Sequence, residues 1–129
     1  MPRTVLDASA VLAVILEEPG ADVVVEALRS GAAMSIVNVA EVAARLHQDG
    51  WSESEVALVF DSLGIEVLPF DPETALLSGR LRTATRRLGL GLGDRACLAT
   101  GSIEGGAVLT SDRSWRELDI AGVDIRCIR

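Results

Sequence analysis

Short apolar segments alternate with longer segments of helical composition along the 129-residue chain. The first apolar segment, residues 3–7, is rich in β-branched side chains, and turn residues bound the others. Segments of this length and composition are typical of buried strands. The pattern therefore predicts five strands, at residues 3–7, 34–37, 65–70, 107–110 and 123–128.

The intervening segments carry the usual signals for the start and end of helices. Ser52 and Glu55 have the spacing of a capping box, and Asp71-Pro72 is a typical helix start. Asn38 is expected to cap a helix of its own, and Gly89–Gly93 is expected to form a flexible connector. The predicted helices are residues 8–17, 21–29, 38–50, 53–64, 73–88 and 94–103, with a short helical turn at 114–117.

Strands that alternate with helices indicate a parallel sheet covered on both faces. The chain has the length of one domain, and we expect a single domain over residues 1–129. No apolar stretch reaches the roughly 18 residues that a membrane span needs, and the N-terminus lacks the pattern of a signal peptide. The sequence thus predicts a cytoplasmic α/β protein that does not enter the membrane.

Four acidic residues lie where predicted strands end or predicted helices begin: Asp7, Glu41, Asp94 and Asp112. Loops that leave the carboxyl ends of parallel strands meet at one edge of the sheet, so these side chains are expected to converge. Clustered carboxylates repel one another unless a cation lies between them. No His or Cys accompanies them, and small neighbours such as Gly93 leave room for an ion. An all-oxygen site of this kind suits Mg²⁺ or Mn²⁺.

Helix capping is the competing interpretation for each of these acids. Asp7, Asp94 and Asp112 each precede a predicted helix or helical turn, and Glu41 follows Asn38 at the capping-box spacing. A capping carboxylate can also bind a metal, because helix N-termini favour negative charge. The sequence leaves both roles open.

Taken in order, four motifs resemble those of PIN-domain ribonucleases, and most closely those of VapC-type toxins of bacterial toxin–antitoxin modules. The resemblance covers essentially the whole chain. The motifs are Val5-Leu-Asp7-Ala-Ser9, Asn38-Val-Ala-Glu41-Val, Leu92-Gly-Asp94-Arg95-Ala-Cys-Leu-Ala and Leu109-Thr-Ser-Asp112-Arg-Ser-Trp115.

The resemblance implies a three-layer α/β sandwich, with a mainly parallel central sheet of about four to five strands flanked by helices. It also implies a metal-dependent ribonuclease that acts as the toxin of a type II toxin–antitoxin module. Asp7 and Asp94 would bind the principal Mg²⁺ or Mn²⁺, Glu41 would hold or deprotonate the attacking water, and Asp112 would complete the site or place a second ion. Four polar residues would orient the carboxylates or bound waters through hydrogen bonds: Ser9, Asn38, Thr110 and Ser111.

The resemblance further implies an RNA substrate, a cognate antitoxin that binds beside the active site, and a homodimer or a hetero-oligomer with the antitoxin. Small and apolar side chains of the helices at 8–29 and 38–63 could form the antitoxin groove, or they could simply belong to the core. The examples are Val11, Val14, Ile15 and Val59.

The charge of the chain bears on RNA binding in two opposite ways. The net charge of −7 argues against a general nucleic-acid binder. However, every one of the twelve basic residues is arginine, whose fork suits phosphate. The candidates for phosphate contacts are Arg80, Arg82, Arg86 and Arg87, which could equally form a solvated helix face, and Arg95 and Arg113, which could equally pair with the site acids.

Other chemistry finds little support in the sequence. Cys97 has the surroundings of a small core residue, and His47 has no partner for catalysis. A haloacid-dehalogenase-like phosphatase would need a second Asp where Ser9 stands, and a lysine, which the chain lacks. The remaining alternative is a catalytically inactive PIN-like module that binds a metal or a peptide.

Overall fold

A sheet of five parallel strands forms the centre of the computed structural model, which describes residues 2–129. The order of the strands across the sheet is β3-β2-β1-β4-β5. The chain therefore builds outward from β1 in one direction through β2 and β3, and in the other through β4 and β5. Ligands of such sheets bind at the carboxyl ends of the strands where the two directions part. The strands are β1 (Thr4–Leu6), β2 (Ala32–Ser35), β3 (Glu66–Leu68), β4 (Ala107–Thr110) and β5 (Asp124–Cys127).

Helices cover both faces of the sheet, as the alternating pattern predicts. Because side chains alternate along a strand, Leu6 and Leu109 pack on one face and Val5 and Val108 on the other. The first face is covered by α1 to α4 and the second by α5 and α6. The helices are α1 (Ala8–Ile15), α2 (Ala21–Arg29), α3 (Ile36–Gln48), α4 (Glu53–Leu63), α5 (Pro72–Thr85) and α6 (Leu92–Glu104), and two 3₁₀ turns cover Arg86–Leu88 and Arg113–Glu117.

Several local predictions are confirmed at the level of hydrogen bonds. The Ser52 hydroxyl accepts from the backbone N–H of Glu55, whose carboxylate accepts from that of Ser52, so the capping box is complete. Asp71 caps α5, with Pro72 in the first turn. Cys97 is wholly buried in the core, as its apolar surroundings predict.

Two predicted boundaries near the acidic residues are wrong, and both errors matter for the site. Strand β2 ends at Ser35, which caps α3 by accepting from the backbone N–H of Val37. Asn38 therefore lies inside the first turn of α3 and is not its cap. Helix α6 begins at Leu92, two residues before Asp94, so the connector of glycines is shorter than predicted.

Within residues 2–129, no helix is long and apolar enough to cross a membrane.

Candidate active site at the carboxyl edge of the sheet

Asp7 lies at the carboxyl end of β1, where the chain turns into α1. It occupies the N-cap position, yet its side chain makes no capping hydrogen bond, so the capping interpretation is wrong for this residue. Instead, its Oδ2 accepts from the hydroxyls of Ser9, at 2.7 Å, and Thr110, at 2.9 Å. The side chain is 5% exposed. The carboxylate of Asp7 is therefore buried and held in one orientation by two hydroxyl groups.

The surroundings of Asp7 disfavour its charged form. Burial is the main cause that raises the pKa of this carboxyl from 3.8 to about 6. The hydrogen bonds from Ser9 and Thr110 lower the pKa, whereas the negative charges of Asp94 and Glu41 raise it. The acids of α3 and α6 are therefore close enough to Asp7 to repel it.

Thr110 connects Asp7 with Asp112 across the ends of β1 and β4. Its hydroxyl donates to Asp7 and accepts from the backbone N–H of Asp112 at 3.1 Å. The Ser9 hydroxyl likewise accepts from the backbone N–H of Ser111 at 3.0 Å. Ser111 thus contributes its backbone to this network. Two hydroxyls fix the spacing of the loops that carry Asp7 and Asp112.

Asp112 is exposed and does cap the 3₁₀ turn that follows it. Its Oδ1 accepts from the backbone N–H of Ser114 at 3.0 Å and from the Ser114 hydroxyl at 2.7 Å. The other oxygen of this carboxylate accepts no hydrogen bond from a side chain or backbone within residues 2–129, so it is available to a ligand. Capping and ligand binding are compatible here.

Glu41 lies in α3 and leans against the start of α6. Its Oε1 accepts from the Asn38 side-chain amide at 2.7 Å, and that amide also donates to the Gly93 carbonyl at 3.0 Å. A Cβ at Gly93 would overlap the Glu41 carboxylate, so only glycine permits this approach. The capping box predicted between Asn38 and Glu41 is wrong, because Asn38 bonds through its side chain within the helix.

Asp94 lies in the first turn of α6, where its Oδ2 accepts from the backbone N–H of Gly91 at 3.2 Å. Burial is the largest cause that raises the pKa of Asp94, and the charge of Asp112 raises it further. The Gly91 N–H and Arg95 act in the opposite direction. Asp94 therefore repels both Asp7 and Asp112, and the four acids form one electrostatic cluster.

The ligand atoms that this cluster offers are of the type that a hard divalent cation prefers. The cluster offers only oxygen ligands, and no member of the cluster is in an ion pair within residues 2–129. Across the same residues, no three acidic, His or Cys side chains are already arranged as a metal-binding group. The carboxylates are thus close enough to repel one another, and they would have to draw together around an ion.

The candidate phosphate contacts fall into two groups. Arg80, Arg82, Arg86 and Arg87 are all exposed, and only Arg87 has a carboxylate partner in the described part of the chain, Glu117, at 2.6 Å. Arg95 and Arg113 form no ion pair with the site acids, contrary to one of the two alternatives. Arg95 donates to the Ser78 carbonyl of α5, and Arg113 to the Arg129 carbonyl.

Two residues of the site receive no specific role from sequence reasoning. Gly93 is predicted only to leave room, whereas the structure places its backbone against Glu41. Ser114, which holds Asp112, is missed altogether, although Asp side chains commonly accept a hydrogen bond from the backbone two residues later. No signal in the sequence marks Gly93, because the sequence places it in the predicted connector and only the structure places it inside α6.

Comparisons with known proteins agree with this architecture. The sequence profile of the PIN domain matches residues 4–121. Among solved structures, the DNA-bound VapBC complex of Salmonella typhimurium contains a chain with a TM-score of 0.78 and 19% identity, with 100% of both chains covered. A chain of VapBC2 from Rickettsia felis, bound to a promoter DNA fragment, has a TM-score of 0.75 and 16% identity, with 96% of this chain and 97% of that one covered.

A third similar structure is VapBC-5 of Mycobacterium tuberculosis, with a TM-score of 0.60 and 23% identity over 96% of this chain and 98% of that one. No curated protein matches the sequence of the chain. At these identities the solved structures establish the fold, while the family follows from the profile, which spans most of the sequence. The chain belongs to the PIN domain family.

Proposed function

We propose that this protein is a metal-dependent ribonuclease of the VapC type, the toxin of a type II toxin–antitoxin module acting in the cytoplasm. The observation that carries the proposal is the cluster of Asp7, Glu41, Asp94 and Asp112 at the carboxyl edge of the sheet, in which no carboxylate is neutralised by an arginine. Such a cluster lowers stability while its carboxylates are ionised, and a bound cation would relieve the repulsion at neutral pH.

Asp7 and Asp94 would hold the principal Mg²⁺ or Mn²⁺, and Asp112 would complete the site or help place a second ion. A bound ion supplies Lewis acidity towards the scissile phosphate and lowers the pKa of a water molecule. Glu41, which is exposed and whose carboxylate is fixed by Asn38, would orient the attacking water and take its proton. Ser9 and Thr110 would keep Asp7 turned towards the ion, and the Ser111 backbone would keep Ser9 in place.

The RNA substrate would lie along the arginine-rich end of the α5–α6 hairpin. Residues 74–93 contain four arginines and no acid, whereas the chain as a whole has a net charge of −7. The turn Arg86–Leu88 precedes α6, so Arg86 and Arg87 lie at the same end of the hairpin as Asp94. Arg80 and Arg82 lie one to two turns further along α5, about 5 to 10 Å away.

A single substitution tests this RNA path. We expect Arg86→Ala to raise the KM for RNA about threefold to tenfold with kcat unchanged, and to reduce the salt dependence of RNA binding by about one counterion. Arg29→Ala is the matched control, because Arg29 is exposed but ends the helix that leads to the amino end of β2. Equal effects of the two substitutions would contradict the proposed path.

The proposed antitoxin would bind in a groove between α2 and the face of the sheet at β4 and β5. The groove has a volume of about 990 Å³ and is lined by Val23, Ala27 and Leu109, with Glu26 and Arg126 among its charged residues. A solved structure with the same fold, VapBC-5 of Mycobacterium tuberculosis, belongs to the VapBC family of toxin–antitoxin systems, which supports an antitoxin partner. Val11 cannot contribute to such a groove, because it is buried in the core.

A homodimer also belongs to the proposal. Leu58, Leu76 and Leu92 are each more than half exposed, and a second copy of the chain would bury apolar surface of this kind. The alternative function, an inactive PIN-like module that binds a metal or a peptide, would use the same fold. The distinction between the two rests on chemistry at the acidic cluster.

A cleavage assay decides between the two functions. Antitoxin-free protein is incubated with labelled total RNA in Mg²⁺, in Mn²⁺ and in chelator, with Asp7→Asn as the matched inactive variant. We expect cleavage that requires the metal and is lost in the variant. Survival of transfer, ribosomal and messenger RNA under every condition would favour the binding module.

A further inference from the structure

Asn38 is a wholly buried polar side chain that joins two elements of the acidic site. Its amide nitrogen donates to the Glu41 carboxylate at 2.7 Å and to the Gly93 carbonyl at 3.0 Å. Glu41 belongs to α3 and Gly93 to α6, so one amide group connects the two helices that carry Glu41 and Asp94.

The orientation of this amide is determined by its neighbours. Both nearby groups are hydrogen-bond acceptors, so only the NH₂ end of Asn38 can face them. The Oδ1 atom is consequently buried without a hydrogen-bond partner in the described part of the chain. An unpartnered buried acceptor lowers stability, and a leucine of the same branched shape would avoid that cost. Leucine would also lose both hydrogen bonds of the amide, so asparagine makes two favourable contacts here and leaves one acceptor unpartnered.

Gly93 provides the other half of the arrangement. Because it has no Cβ, the Glu41 carboxylate can lie directly against the backbone of α6, one residue before Asp94. The Asn38 amide closes the contact by bonding to both the carboxylate and the Gly93 carbonyl. The position of Glu41 relative to Asp94 is thus fixed by Asn38 on one side and by Gly93 on the other.

We infer that Asn38 is a positioning residue of the acidic site: its amide holds the Glu41 carboxylate against Gly93 and so sets the spacing between the carboxylates of α3 and α6. This inference rests on the proposed function, because the spacing matters only if a cation and a water bind between these helices. Asn38 acts through Glu41 and need not touch RNA.

The test uses Asn38→Leu, Glu41→Gln and the double variant, with Thr100→Val as the matched control. Thr100 is a buried polar residue of α6 whose hydroxyl donates within its own helix, and valine keeps its shape. The first readout is Mn²⁺ binding to RNA-free protein by titration calorimetry. The second is the separation of kcat from KM in RNA cleavage. Asn38→Ala replaces the leucine variant if that variant does not fold.

We expect Asn38→Leu to weaken Mn²⁺ binding about tenfold, to lower kcat about 10-fold to 100-fold and to leave KM unchanged. The melting temperature of the metal-free protein should change little, since leucine removes the unpartnered oxygen together with the two hydrogen bonds of the amide. Adding Asn38→Leu to Glu41→Gln should change Mn²⁺ affinity by less than twofold, because both substitutions disrupt one unit. Thr100→Val should leave Mn²⁺ affinity and kcat at their original values.

The outcomes separate this inference from the proposed function. Wild-type Mn²⁺ affinity and kcat in Asn38→Leu would overturn the positioning role while leaving a working nuclease. Additive losses in the double variant would overturn it as well, because Asn38 would then act independently of Glu41. If the wild-type protein binds Mn²⁺ but cuts no RNA, the nuclease proposal fails, and the calorimetric comparison still decides the role of Asn38.

Discussion

The two edges of the central sheet treat acidic side chains in opposite ways. At the amino edge, Arg3 precedes β1 and pairs with Glu66 at the start of β3 and with Glu104 at the end of α6. At the carboxyl edge, Asp7 and Asp94 are repelled by the other site acids, and no arginine of residues 2–129 forms an ion pair with either of them. The same sheet thus neutralises its acids at one end and leaves them in mutual repulsion at the other.

This difference shows which edge serves the fold and which serves a ligand. A protein selected only for stability would pair or remove the carboxylates of both edges, because desolvated and mutually repelling acids lower the free energy of unfolding. The hydroxyls of Ser9 and Thr110 partly stabilise the charge of Asp7 and leave its pKa raised. The acids of the carboxyl edge therefore lower the free energy of unfolding, and a bound cation would remove this destabilisation.

The largest expected effect is that of Asp7→Asn on the carboxyl edge. RNA cleavage should fall by about 10³-fold, since a lost metal ligand removes several kcal/mol of transition-state stabilisation. Asparagine can still accept the hydrogen bonds of Ser9 and Thr110, so the metal-free variant should unfold at a higher temperature than the wild type. Cleavage rates and thermal melts in chelator provide the two measurements. A large decrease in melting temperature would mean that Asp7 serves the fold.

The destabilisation caused by the charged form of Asp7 should also be visible in the pH dependence of stability. Because the pKa of Asp7 is raised in the folded state from 3.8 to about 6, the folded state binds more protons than the unfolded state between these values. The free energy of unfolding should therefore fall as pH rises from about 4 to about 6, by about 3 kcal/mol from this group. Above about pH 7, where Asp7 is ionised in both states, its contribution to the free energy of unfolding is constant.

Urea titrations of the metal-free protein at pH 4, 5, 6 and 7 measure this fall, and the difference between wild type and Asp7→Asn isolates it. Asp94 contributes with the same sign, because its pKa is also raised. The capping acids Glu55 and Asp71 have lowered pKa values. They stabilise the folded state while they are ionised, and this stabilisation is lost only when acid protonates them, at the low-pH end of the range. Parallel curves for the two proteins would show that Asp7 is not desolvated.

Gly93→Ala should have a smaller effect at the same edge. The new Cβ would overlap the Glu41 carboxylate and force that side chain away from its position, which should reduce cleavage about tenfold. Gly91→Ala is the control on the same segment, because nothing lies within 4 Å of the position its Cβ would occupy and its backbone N–H to Asp94 is kept. Equal rates in both variants would show that the contact between Glu41 and Gly93 is dispensable.

The sequence predicts the fold better than it predicts the details of this edge. Short apolar segments and capping signals locate all five strands and six helices, because those features act locally. The position of Asn38 does not follow from local signals: its capping pattern is real, but Ser35 provides the cap one turn earlier. The contact of Glu41 with Gly93 joins residues far apart in the chain, so no spacing in the sequence could reveal it.

The smallest expected effect lies at the amino edge, where Arg3→Met removes the partner of Glu66 and Glu104. Both ion pairs are partly exposed to solvent, so the free energy of unfolding should fall by only about 1 kcal/mol. RNA cleavage should not change, since this edge lies at the opposite ends of the strands from the acidic cluster. Urea denaturation and cleavage rates test both statements, with Arg45→Met, which removes a pair within α3, as the control. A loss of cleavage in Arg3→Met alone would mean that the two edges are coupled, and the division between a structural and a functional edge would no longer hold.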